Sequence, residues 1–202
     1  MDRKVTKTGY LSQAWLVILL AFLFGGALAG VQRTLGPRIA ENRRNETYNV
    51  IPSIVPGADK SRTMEITVDA ADGNQHRVYE ALGDDGSRKG WVIPTRGPGF
   101  ADEIRLLVGL NREATIITGI YVLDQKETPG LGALITGRTF RDEFRDIPTN
   151  RALEVVTSEP TTTNQIQALT GATISSQSVA GIVNAAVKEL KEPLQRLNQS
   201  LK

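Results

Sequence analysis

The feature that most limits how this chain can fold is a long uncharged stretch near its N-terminus. No Asp, Glu, Lys or Arg occurs from Thr8 to Gln32, and residues 11–31 are mostly Leu, Ala, Val, Phe and Gly. About 20 apolar residues in a helix are enough to cross the hydrocarbon core of a bilayer. Tyr10 and Trp15 lie near the start of the stretch, where aromatic side chains commonly meet the membrane interface. The stretch therefore predicts a single transmembrane helix at residues 11–31.

A secretory signal peptide is the alternative, because Ala27-Leu28-Ala29 has the form of a small-residue cleavage site. An uncleaved anchor is favoured because the uncharged stretch is longer than a usual signal core. Basic residues flank the stretch on both sides, so their count does not decide its orientation. We expect an N-terminal segment at 1–10, a juxtamembrane linker at 32–60 whose helical pattern breaks at Pro52, and a folded domain at 61–202.

The pattern beyond residue 61 predicts an antiparallel sheet, since short apolar runs alternate with turn signals such as Asp72-Gly73. An apolar stripe repeats every three or four residues from Val179 to Leu201 and predicts a long closing helix, which Pro193 would kink or interrupt. The expected strands are 64–68, 76–82, 89–94, 104–110, 115–123 and 153–157. We expect strands 104–110 and 115–123 at the centre of the sheet. A short helix is expected at 135–144 and a polar linker at 159–164. This order predicts an α+β fold with helices packed on a twisted antiparallel sheet.

The composition excludes several kinds of chemistry. The chain has no Cys, which removes disulfides, iron–sulfur clusters and thiolate zinc sites, and its one His, His76, is expected on a strand surface. A net charge of +2 without a basic stripe gives no reason to expect nucleic-acid binding. The glycine-rich dinucleotide and P-loop patterns are missing from the sequence as well. Any redox chemistry must therefore come from an organic cofactor.

The strongest candidate site is the turn that precedes the closing helix. Thr170-Gly171-Ala172-Thr173 is followed by Ser175 and Ser176, so small and hydroxyl-bearing residues surround the first helical amides. Those amides have no acceptor within the helix and lie at the positive end of its dipole, which makes the turn a plausible phosphate seat. Ordinary helix capping by Ser or Thr is the other interpretation.

Two further segments have unusual backbone composition. Glu127-Thr128-Pro129-Gly130-Leu131-Gly132 follows a predicted strand, and its Pro and Gly residues hold a defined loop with free amides. Glu127 could be an ordinary solvated carboxylate. Thr95-Arg96-Gly97-Pro98-Gly99-Phe100 is predicted to be a loop, either a simple turn or one where Gly97 and Gly99 let the backbone approach a ligand.

The two motifs at 127–132 and 170–173 together resemble the G subunit of Rnf electron transport complexes, within the FMN-binding domain family. The C subunit of the Na⁺-translocating NADH:quinone reductase is a close relative of that family. The resemblance implies that a flavin transferase joins FMN through a phosphoester to Thr173. It also implies that the 127–132 loop packs near the flavin. The family often has an acidic residue three places before the first Ser or Thr of the motif, and this chain has Gln167. The cofactor-binding residues then expected are Thr170, Gly171, Ala172, Ser175, Glu127, Thr128, Gly130, Leu131, Gly97 and Gly99.

The resemblance further implies an electron-carrier subunit of a membrane-bound ion-translocating ferredoxin:NAD oxidoreductase, with no catalytic site of its own. Its partners would be the other membrane subunits of the complex, and the flavin transferase during maturation. It would cross the cytoplasmic membrane once, with residues 1–10 inside and the FMN-binding domain at 61–202 on the extracytoplasmic side. Two alternatives remain open from the residues alone. One is a stand-alone membrane-anchored FMN protein, and the other is an anchored scaffold domain without a cofactor.

Overall fold

The computed structural model describes residues 8–70 and 73–200. Asp72 of the predicted hairpin turn, Leu201 of the predicted helical stripe and most of the N-terminal segment 1–10 lie outside the described residues. The chain divides between Glu46 and Thr47 into two compact units. Helix α1, which runs from Thr8 to Ile54, continues across this division.

The first unit consists of helix in its described part. Its apolar side chains are exposed, with Phe22 78% and Leu28 70% accessible. By length and composition the helix could cross a membrane. The prediction of helix at 11–31 is confirmed. The expected break at Pro52 is wrong, because the helix continues past Pro52 and ends at Ile54.

The second unit is built on a six-stranded antiparallel sheet in which every strand pairs with the next in the chain. The strands are β1 (Met64–Asp69), β2 (Gln75–Leu82), β3 (Arg88–Pro98), β4 (Glu103–Asn111), β5 (Ile116–Asp124) and β6 (Ile147–Pro148). A 3₁₀ helix at Gly132–Thr136 and helix α2 at Arg138–Asp142 lie between β5 and β6. A small parallel pair, β7 (Glu154–Val156) and β8 (Gln165–Gln167), precedes helix α3 (Thr173–Ser200). The α+β prediction is confirmed.

Alternation along β4 places its side chains in two cores. Leu106 belongs to the large core, which includes Val183 and Leu190 of α3. Leu107 belongs to a smaller core with Ile51 and Ile54, from the last turn of α1. Successive strand residues point to opposite faces of a sheet, so α3 and the end of α1 cover opposite faces of this one.

Four details of the prediction are corrected. Thr95–Pro98 is not a loop, because β3 extends to Pro98 and pairs with β4 over its whole length. The predicted helix at 135–144 is two short helices separated at Gly137. The strands β6 and β8 were not predicted, since two or three residues are too few to show a period. Helix α3 continues through Pro193 to Ser200 without interruption.

Candidate functional site

The turn at 170–173 is shaped by backbone geometry and by a serine in the following helix. Gly171 has a φ of +77°, in the left-handed region that favours glycine. The Oγ of Ser176 accepts a hydrogen bond from the Leu169 amide at 3.1 Å and donates one to the Ala172 carbonyl at 3.0 Å. Ser176, which is buried, therefore closes the turn.

Thr173 is the first residue of α3 and is half-buried. No hydrogen bond or ion pair involves its side chain within the described part of the chain. A residue at the first helical position is also one place beyond the N-cap. The capping interpretation of Thr173 is therefore not supported, and its hydroxyl is not engaged by another described residue.

Glu127 is the central buried charge near this turn, with only 4% of the residue exposed. Its Oε1 accepts hydrogen bonds from the amides of Phe100 at 3.0 Å and Ala101 at 3.1 Å. Its Oε2 accepts one from the Ser175 hydroxyl at 2.5 Å. Glu127 is thus not the solvated carboxylate that its residue type suggested. Its carboxylate joins the turn after β3, the loop after β5 and the first turn of α3.

Two glycines leave room for this carboxylate. A Cβ on Gly99 would lie 2.3 Å from Oε1 of Glu127, and one on Gly132 would lie 2.9 Å from Oε2 and 2.7 Å from Oγ of Ser175. Contacts shorter than 3.0 Å force neighbouring atoms to move. The glycines at these positions are therefore required by space around Glu127, and not by an unusual φ.

The 127–132 loop also touches the turn before α3. A Cβ on Gly171 would meet Cδ2 of Leu131 at 3.0 Å. The loop is closed by the Thr128 carbonyl, which accepts from the amides of Leu131 and Ala133 at 3.1 Å each. Thr128, Gly130 and Leu131 are exposed at this edge. The two motifs, about 40 residues apart in sequence, therefore form one surface.

An apolar groove of about 430 Å³ lies between the end of β3 and the first turns of α3. Gly97 sits against Ile182, with its missing Cβ position 2.6 Å from Cγ1 of that residue. Ile174, next to Thr173, is 54% exposed. The lining residues are Arg96, Gly97, Pro98, Ile174, Gln177, Ser178, Gly181, Ile182 and Ala185. The groove therefore offers apolar surface next to the start of α3, where Ile174 follows Thr173.

One ion pair lies at the edge of the same region. Lys126 donates a hydrogen bond to Asp102 at 2.6 Å, which lowers the pKa of Asp102 and raises that of Lys126. No group of three or more His, Asp or Glu side chains that could hold a metal ion occurs in the described ranges 8–70 and 73–200.

The structure brings most of the predicted site residues together. Thr170, Gly171, Ala172, Thr173 and Ser175 form one turn, and the loop of Glu127, Thr128, Gly130 and Leu131 lies against it. Gly99 contacts Glu127, while Gly97 lines the groove. The prediction missed Ser176 as the residue that closes the turn, although the hydroxyl-rich stretch contained it. It also missed that Ile174 and Ile182 line the groove. An isolated apolar residue in a helix gives no sequence signal for such a role.

Comparison with known proteins gives the family. Residues 99–188 match the family model described as the FMN-binding domain. The G subunit of the ion-translocating oxidoreductase complex of Methanosarcina acetivorans is 34% identical over 149 residues, which cover 73% of this chain and 74% of that protein. The G subunit of the proton-translocating ferredoxin:NAD(+) oxidoreductase complex of Clostridium ljungdahlii is 32% identical over 178 residues, which cover 85% and 86%.

Solved structures agree at the level of the fold. The crystal structure of NqrC from Shewanella oneidensis has a TM-score of 0.55 and 20% identity, with 63% of each chain covered. The C subunit of the Na(+)-translocating NADH-quinone reductase of Parabacteroides distasonis has a TM-score of 0.54 and 23% identity, with 61% of this chain and 65% of that chain covered. The match to the FMN-binding domain model contains Thr173, Glu127 and Gly99. From its sequence relatives, the chain belongs to the family of G subunits of ion-translocating oxidoreductase complexes.

Proposed function

We propose that this protein is an electron-carrier subunit of a membrane-bound ion-translocating ferredoxin:NAD oxidoreductase complex, and that it carries FMN on Thr173 through a phosphoester. The observation that carries the proposal is Thr173, a half-buried residue at the start of α3. Its side chain has no hydrogen-bond partner in the described residues, and its neighbour Ile174 lines an apolar groove. Membership of the family of G subunits supports the role in electron transfer.

The residues of this site fit FMN. A phosphodiester keeps about one negative charge, and the first amides of α3 together with its dipole stabilise an anion at Thr173. The groove lined by Pro98, Ile174 and Ile182 offers apolar surface for a flavin ring. Bound FMN would supply the one- and two-electron chemistry, which this chain's own side chains do not provide.

Attachment at Thr173 is a phosphoryl-group transfer. The Thr173 Oγ1 forms a bond to the phosphorus of the FMN portion of an FMN anhydride such as FAD, and the anhydride P–O bond breaks. The hydroxyl proton goes to a base, and AMP leaves when FAD is the donor. A flavin transferase is the partner that would bring the donor to this surface. The chain itself then holds the product in place.

The test is in-gel fluorescence under ultraviolet light after full denaturation. Wild type, Thr173→Ala and the control Thr157→Ala are each co-expressed with a flavin transferase. Thr157 is an exposed threonine outside the predicted site. We expect fluorescent wild-type and control bands and a dark Thr173→Ala band, because denaturation removes flavin that is not covalently bound. Fluorescence of the Thr173→Ala band would contradict attachment at this residue. A dark wild-type band with flavin in the supernatant would indicate non-covalent binding, and a lack of flavin in both fractions would favour a scaffold.

We also propose that residues 11–31 cross the cytoplasmic membrane, with 1–10 inside and the 61–202 domain on the extracytoplasmic side. The exposed apolar face of α1 supports association with a membrane. Because the chain has no Cys, a single Ser158→Cys change introduces one exposed thiol into the domain. A membrane-impermeant maleimide should label it in intact cells, and labelling only after lysis would reverse the proposed orientation.

The partners in this proposal are the other membrane subunits of the complex. Copurification of those subunits with the tagged chain from its native membrane tests this part. Recovery of a flavin-loaded chain without any such subunit would favour a stand-alone membrane-anchored redox protein.

A further inference from the structure

The carboxylate of Glu127 accepts hydrogen bonds from groups of the protein. All three of its hydrogen-bond donors are protein groups, and only 4% of the residue is exposed. A buried carboxylate is tolerated when it is hydrogen-bonded in this way. The carboxylate therefore has a structural role within the protein, in addition to the cofactor contact that the resemblance implies.

The Ser175 bond fixes the rotation of the first turn of α3. Successive helical residues are rotated by about 100° around the axis, so residues two apart point in nearly opposite directions. Ser175 is 3% exposed and points inward to Glu127. Thr173 is consequently turned away from Glu127, and the residue is half-buried.

The other carboxylate oxygen of Glu127, Oε1, binds the turn between β3 and β4. Oε1 of Glu127 holds the amides of Phe100 and Ala101 in the turn between β3 and β4. Phe100 itself is 63% exposed beside this turn. The spaces left by Gly99 and Gly132 allow the carboxylate to reach both partners at once. One side chain thus sets the distance between the turn after β3 and the start of α3.

We propose that Glu127 is a positioning residue that acts through Ser175 to present the Thr173 hydroxyl for flavin attachment. This proposal rests on the proposed attachment of FMN at Thr173. Loss of the carboxylate frees the first turn of α3 to rotate or fray, so that the hydroxyl is less often in the reactive orientation. A misplacement of this kind slows a group transfer without removing the acceptor.

The experiment uses the full chain in detergent, a purified flavin transferase and FAD. The variants are Glu127→Ala, Glu127→Gln, Ser175→Ala and the double change at both positions. Glu159→Ala and Glu159→Gln are the matched controls, because Glu159 is an exposed glutamate of the same domain outside the predicted site. The initial rate of covalent labelling is normalised to the folded fraction of each variant. Amide hydrogen exchange at Phe100 and Ala101 is measured in parallel on flavin-free protein.

We expect Glu127→Ala and Ser175→Ala each to slow labelling by roughly 10- to 100-fold. The double variant should be no slower than Glu127→Ala, since both residues act through one bond. Glu127→Gln should recover part of the rate, because its amide oxygen can still accept from Phe100 and Ala101 while its NH2 group can donate to Oγ of Ser175. Exchange at these two amides should be faster in Glu127→Ala and close to wild type in Ser175→Ala and both controls.

Wild-type labelling rates in Glu127→Ala would overturn the proposal, as would additive losses in the double variant. If Glu127→Ala does not fold, the rates of Ser175→Ala and Glu127→Gln still decide the question. Absence of covalent label on the wild-type chain would instead refute the attachment at Thr173, and the positioning role with it. The two failures are therefore distinguishable.

Discussion

Replacement of Gly99 by Ala tests how tightly the carboxylate of Glu127 is enclosed. The added Cβ would lie 2.3 Å from Oε1 of Glu127, 2.6 Å from the Asp102 carbonyl oxygen and 2.9 Å from Cδ1 of Ile104. One of these atoms belongs to the backbone and another to a buried, hydrogen-bonded carboxylate. The methyl group therefore cannot be accommodated by rotation of one free side chain.

The expected loss of unfolding free energy for Gly99→Ala follows from two effects. Overpacking of a closely packed site costs about 1–3 kcal/mol. Movement of Oε1 of Glu127 also weakens its bonds to two amides, and a hydrogen bond to a charged group contributes about 1.5–3 kcal/mol. The two costs are not fully additive, because movement of Glu127 relieves the overpacking while it weakens the hydrogen bonds. We therefore expect a total loss of unfolding free energy of about 2–4 kcal/mol. For a domain of this size that lowers Tm by roughly 4–15 °C.

Gly181→Ala is the matched control, because it adds the same methyl group to an exposed position of α3 with no atom within 4 Å of the new Cβ. Alanine is favoured over glycine in a helix interior by about 0.8–1 kcal/mol, so this variant should be more stable than wild type. Urea denaturation of the full chain in detergent measures both variants. A Gly99→Ala chain within about 0.5 kcal/mol of wild type would refute the enclosure argument.

Three further predictions follow from single contacts. Trp91→Phe should lower the unfolding free energy by about 1–3 kcal/mol in urea denaturation, because the buried indole donates to the Arg112 carbonyl at 3.0 Å; an unchanged midpoint would contradict this. Lys126→Met should raise the pKa of Asp102 toward 3.8 in a carboxyl NMR titration. The stabilisation from this ion pair is present above the ordinary pKa of Asp102 and is lost as the pH falls through its lowered value, so an unshifted titration would exclude the pair. Gly130→Ala should cost about 1–2 kcal/mol in the same denaturation assay, because φ is +75° there, and no loss would show that the loop adapts.

Much of the fold could be predicted because its signals are local. The stripe from Val179 and the β-branched runs at 104–110 and 115–123 each lie within one element, and the elements form where they were expected. The segment 95–98 was mispredicted because Gly and Pro favour loops. Pairing with β4 overrides that preference there.

The sequence by itself determined the apolar helix, most of the order of strands and helices, and a hydroxyl-rich turn at a helix start. The family resemblance then implied Thr173 as the acceptor in that turn. Only the tertiary structure decided what Glu127 does. Its bond to Ser175 joins residues 48 positions apart, and the energy of a buried carboxylate depends on which donors the fold brings to it. Residue type alone favours a solvated carboxylate. The carboxylate of Glu127 instead connects three segments that are distant in sequence, and through Ser175 it orients the first turn of α3.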